Sequence, residues 1–130
     1  MDPVFRYHIY VILSAVILAD KRIQDVELEA FVALVTGFQV ALNDPEPETK
    51  PEIRIWFNDN HAQIFNWLHT PLWQENLMTH LEALSDFDFK WQLLQAMKSV
   101  ALSDKEYHLD EARILRFAID YWDGDFRMEV

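Results

Sequence analysis

Cysteine is missing altogether, which removes disulfide staples, thiolate metal ligands and a cysteine nucleophile from consideration. That absence fits a reducing compartment, and a cytoplasmic location is the expectation. Glycine is nearly missing, with only Gly37 and Gly124 in 130 residues. A chain so poor in glycine has no phosphate-cradling loop and few tight hairpins, so it favours helices. Positive charge is scarce: 11 Lys and Arg stand against 22 Asp and Glu, for a net charge of −11. Phosphate backbones and anionic lipid would repel such a surface, so no nucleic-acid binding is expected. Cations and basic or apolar protein partners are the natural counterparts.

Long apolar runs are also few. The run from Ile9 to Ala19 is too short to span a bilayer, follows Asp2 as well as Arg6, and leads into a poor cleavage site, ILADKR. Neither a signal peptide nor stable membrane insertion is expected. What remains is a chain that is 51% hydrophobic and 14% aromatic, long enough to bury a core as one domain over residues 1–130.

Apolar residues recur with helical spacing throughout. The first helix is expected over Val4–Ala19, apolar nearly all round and therefore buried. The second is expected from Asp25 to about Leu42, with Leu28, Phe31, Val35, Phe38 and Leu42 on one face. Asn43 to Glu52, with three prolines, reads as an exposed connection. A third helix follows Pro51, with a break allowed at Asn58-Asp59-Asn60. The fourth opens with Thr70 as cap and Pro71 in the first helical position. Two more complete the set, and Asp123-Gly124 ends the last one. The fold class is all-α, a helical bundle of about six or seven helices.

One passage is written twice. ILADKRIQDVELEAF aligns without a gap on ALSDKEYHLDEARIL, at a constant offset of 84 residues from Asp20 to Asp104. Lys21 falls on Lys105 and Glu27 on Glu111. Upstream, Phe5 matches Phe89 and Val16 matches Val100. Downstream, Leu28, Phe31, Val35 and Phe38 match Ala112, Leu115, Ile119 and Trp122. Two related helical hairpins, about 2–42 and 86–124, thus flank a middle section without a copy. This is a pseudo-symmetric bundle rather than a solenoid, which needs more repeats.

An apolar helix ending in Asp, a hydrophobic residue three positions on and Glu at the seventh, repeated near both ends of an all-α chain, resembles the TerB-like (tellurite resistance protein B) family. The likeness covers essentially the whole chain. The family usually has glycine directly after the aspartate, where this sequence has Lys21 and Lys105. The resemblance implies acidic clusters at these positions and a link to metal or tellurite stress.

The four acids have two readings. As caps, Glu27 and Glu111 sit three residues beyond Gln24 and His108, the capping-box position, and Asp20 and Asp104 can accept amides of the connecting turns. A first-turn carboxylate gains about 0.3–1 kcal/mol from the helix dipole. As ligands, the carboxylates converge. Two such charges about 4 Å apart repel by roughly 4 kcal/mol at an effective dielectric of 20, a repulsion that a hard divalent cation relieves. Asp20, Glu27, Asp104 and Glu111 are then the metal ligands, with Asp25, Glu106, His108 and Asp110 as additional candidates. Calcium or magnesium suits the oxygens, and zinc the copy containing His108. The turn is not an EF-hand, whose loop is twelve residues long.

Other constellations read as ordinary. His61, His69 and His80 lack a metal-type spacing, and Ser14, Ser85, Ser99 and Ser103 lack a nucleophile-elbow context. No catalytic residue and no enzyme are expected. The aromatics are core residues first. Trp56, Phe57, Phe65, Trp67 and Trp73, unconstrained by the repeat, are the candidate partner groove. With the acids acting only as caps, the chain would be a protein-interaction module.

Overall fold

The computed structural model describes residues 1–19, 25–103 and 109–127, with side chains over 1–19, 28–99 and 112–122. The described residues form six helices: α1 (Pro3–Leu18), α2 (Asp25–Ala41), α3 (Lys50–Leu68), α4 (Trp73–Ala83), α5 (Lys90–Ser103) and α6 (Leu109–Arg127). No strand occurs among the described residues. Among the described residues, no helix is long and apolar enough to cross a membrane.

The Asp2 carboxylate starts α1 by accepting the Val4 amide at 2.8 Å, with Pro3 in the first helical position. Every residue from Ile9 to Leu18 is buried. The cause is the all-round apolar sequence: α1 packs against each of the other five helices, so no face is left for water. Its large aliphatics, Ile9, Val11, Ile12, Leu13, Val16, Ile17 and Leu18, are at most 4% exposed. Burying each such side chain is worth about 1.5–3 kcal/mol, so together they match or exceed the net stability of a typical domain. The other helices fold around α1.

On α2 the expected face is buried through Phe31, Val35 and Phe38. The helix ends in a Schellman arrangement: the Asn43 amide donates to the Val40 carbonyl and the Asp44 amide to the Gln39 carbonyl, both at 3.0 Å. Asn43 sits at φ 52, a left-handed conformation that asparagine tolerates. Gln39, 3% exposed, then closes the proline-rich connection. Its Oε1 accepts the Glu48 amide at 2.9 Å and its Nε2 donates to the Glu48 carbonyl at 3.2 Å.

Four expectations about where helices start, break or end differ. The connection is shorter than expected, because Thr49 and Glu52 form a capping box that starts α3 at Lys50. No break occurs at Asn58-Asp59-Asn60: α3 is continuous, and the Asn60 side chain donates to the Trp56 carbonyl one turn back. At α4, Thr70 is not the cap, nor is Pro71 in the first turn. The Thr70 hydroxyl donates to the Trp67 carbonyl at 2.8 Å and accepts the Leu72 amide, which holds the turn that precedes α4. Finally, α6 runs through Asp123 and Gly124 to Arg127. A lone helical glycine costs only about 1 kcal/mol, so it does not by itself stop a helix.

The repeat aligns α2 with α6, which are described from Asp25 and Leu109 onward. Their buried faces are rotated, however. On α6, Ile114, Ala118 and Trp122 are buried, Leu115 is half-buried and Ile119 is 42% exposed. The Trp122 indole donates to the Leu81 carbonyl at 3.2 Å, tying α6 to α4 inside the core.

Candidate functional site

Of the sequence-predicted ligands, Asp20, Asp104, Glu106 and His108 lie outside the described residues. Asp25 and Glu27 fall in the first turn of α2, and Asp110 and Glu111 in the first turn of α6, but their side chains are also outside the described set. Ala19, which caps α1 and directly precedes Asp20, lines a cavity of about 220 Å³ with Leu68, His69, Trp73, Arg113 and Ile114. The C-terminal ends of α1 and α3, the first residue of α4 and the second turn of α6 therefore meet at one place.

The electrostatics of that place are mixed. Helix C-termini carry partial negative charge and favour cations. On α3 the free carbonyls are partly used: His69 Nδ1 donates to the Phe65 carbonyl at 2.7 Å, and Thr70 takes that of Trp67. Arg113 brings one guanidinium to the wall. Among the described residues, no group of three His, Cys, Asp or Glu side chains is placed to hold a metal.

A second set of acids is used structurally. The Asp44 carboxylate, with its side chain 1% exposed, binds the Met1 ammonium at 2.9 Å, Arg6 at 3.2 Å and the Glu46 amide at 3.0 Å. Burial alone would raise its pKa; the ammonium, the amide and Arg6 outweigh it, and Asp44 ends below the usual carboxylate value. Nearby the Tyr10 hydroxyl donates to Glu48 at 2.6 Å. Burial first, then that carboxylate, pushes the phenol well above its ordinary value.

The five aromatics singled out from the sequence do not form one open groove. Phe57 is buried, and the others are half-buried against the core. Trp56 and Phe57 share Phe31, on which Phe57 stacks at 4.8 Å, and the other three meet different neighbours. Trp56 stacks on Phe31 at 5.8 Å and meets Tyr10 edge-on, Trp67 stacks on His80 at 6.2 Å, Trp73 meets Phe117 edge-on at 5.6 Å, and Phe65 contacts His69. The exposed apolar groove lies elsewhere, between α2 and α5. It encloses about 680 Å³ and is lined by Ala30, Ala33, Gly37, Ala41, Trp91 and Ala96 among others. Its sequence signal was the run of small residues along the α2 face opposite Phe31 and Val35.

The histidines divide. His61 Nδ1 donates to the Phe57 carbonyl at 2.9 Å, and His69 does likewise to Phe65, so both are occupied within their own helix. His80 is different: its Nδ1 lies 2.8 Å from Nδ1 of His8 on α1. The Tyr7 ring stands 5.2 Å from His8 and 5.9 Å from His80. Burial lowers both imidazoles, and His8 adds to the effect on His80, which is brought down to about 4. His8 escaped sequence reasoning because nothing local links it to a residue on α4.

Compared with protein-family models, with curated proteins and with solved structures, the chain has no match in any of the three.

Proposed function

We propose that this chain is a TerB-like acidic domain that takes up a divalent cation through its duplicated turns, as part of a metal- or tellurite-stress response. Asp20 and Asp104 act as direct ligands, and Glu27 and Glu111 as ligands or as caps that orient them. One observation carries the reading. Ala19, next to Asp20, lines the same cavity as Arg113 and Ile114, which follow Glu111 by two and three residues. The residue before the first acidic turn and the helix after the second are thereby neighbours. In a chain of net charge −11, acids gathered at such a place gain more from one hard cation than from mutual repulsion.

The test is calorimetry with calcium, magnesium, manganese and zinc on the wild type and on Asp20→Asn combined with Asp104→Asn. Saturable binding in the wild type, lost in the double variant, is expected. Weak, non-saturating heats that are equal in both proteins would leave the acids as helix caps alone.

The groove between α2 and α5 favours a second reading, a non-catalytic interaction module. Its walls carry small apolar side chains, and the chain around it is acidic, so an amphipathic helix with basic flanks is the matching occupant. A Cβ at Gly37 would meet nothing within 4 Å, so Gly37→Lys obstructs the groove without disturbing the fold. A lysine-flanked amphipathic peptide should bind the wild type, unaffected by chelator, and fail to bind that variant. Equal binding to both would exclude the groove.

A further inference from the structure

We propose that His8 and His80 form a second metal site, for a borderline transition-metal ion such as zinc, nickel or copper, separate from the acidic turns. The two Nδ1 atoms come from different helices, α1 and α4, and already converge to 2.8 Å. In the metal-free pair one ring donates its Nδ1 proton to the other. A metal takes the place of that proton. The donor ring then carries its proton on Nε2 instead, transferred through water, so both Nδ1 lone pairs face the ion and no net proton is lost. Zinc–nitrogen bonds of about 2.05 Å at a tetrahedral angle need the two nitrogens about 3.3 Å apart. The pair must therefore open by about 0.5 Å, and each ring must turn by about 35° so that its lone pair points at the ion instead of at the other nitrogen.

The surroundings hold the rings in this pose. The Trp67 indole stacks on His80 with an interplanar angle of 19°, and Tyr7 contacts both imidazoles. These contacts restrict ring rotation, a role that outer partners of metal-bound histidine commonly fill. Imidazole suits zinc, copper and nickel, whereas calcium and magnesium want oxygen. Among the described residues no third His, Cys, Asp or Glu joins the pair, so water completes the coordination. A site of this kind is open and exchangeable rather than a structural staple.

The experiment is a zinc titration of the intact chain, read by calorimetry and by the histidine Cε1–Hε1 resonances. Zinc should shift the His8 and His80 resonances together at one equivalent, and calcium should not. Asp20→Asn combined with Asp104→Asn should leave that response unchanged, and His8→Asn should weaken it at least tenfold. Shifts confined to other histidines, or a response abolished by the Asp20 and Asp104 changes but not by His8→Asn, would overturn the proposal. The resonance readout on the wild type decides the matter even if the His8 variant folds poorly. Failure of the acidic site leaves this outcome untouched, and the reverse holds too.

Discussion

Acid should weaken this protein through His80 before it reaches the carboxylates. Burial, then the neighbouring His8 ring, lowers His80 from 6.5 to about 4. Between those values the unfolded chain binds a proton that the folded chain refuses, so stability is intact above pH 6.5 and falls as the pH drops toward 4. The shift of about 2.5 units corresponds to a ceiling of about 3.4 kcal/mol at 1.36 kcal/mol per unit. At pH 5 roughly 2 kcal/mol of that is reached, and partial solvent contact of the half-buried ring reduces it to about 1–1.5 kcal/mol. Asp44 works in a lower window: its pKa lies below 3.8, so its stabilising ion pairs are lost only as the pH falls further. The assay is urea unfolding with chelator at pH 7 and pH 5, where such a loss moves the midpoint by roughly 0.5–1 M. His80→Leu should be less stable than wild type at pH 7 yet lose less on going to pH 5. An equal loss in both proteins, or a His80 resonance titrating near 6.5, would refute the reasoning.

Three further changes test the packing. Ser14 is fully buried, and its hydroxyl has no hydrogen-bond partner among the described residues; Ser14→Ala should raise stability by about 1 kcal/mol in urea unfolding, since an unpaired buried hydroxyl is removed. Trp122→Phe gives up the indole bond to the Leu81 carbonyl and some core volume, so unfolding should become easier by about 1–3 kcal/mol. Gln39→Ala removes both bonds to the Glu48 backbone; a loss of about 1–3 kcal/mol is expected, with faster hydrogen exchange at the Glu48 amide.

The sequence spoke clearly where one helix carried its own information. The Ile9–Ala19 run has no polar face, and a helix with no polar face must be enclosed, as α1 is. Boundaries set by competing local bonds were harder. Thr70 has the composition of a cap, yet its hydroxyl turns back to α3. Thr49 and Glu52 form the capping box inside a stretch whose three prolines read as loop. Long-range pairings left no local trace: His8 and His80 are 72 residues apart, and Gln39 looked like one more polar position on a helix. The acidic turns were visible as a repeated pattern, whereas the approach of Ala19 to Arg113 depends on how α1, α3, α4 and α6 pack.

The proposed cation site requires the two acidic turns to serve one hard cation together. Substoichiometric manganese added to isotope-labelled protein tests it most directly, because amide broadening by a paramagnetic ion falls steeply with distance. Amides of residues 20–27 and 104–111 should broaden together at the same low concentration, and Asp104→Asn alone should release both stretches. Broadening of one stretch only, or spread evenly over exposed carboxylates such as Glu75 and Asp120, would contradict it.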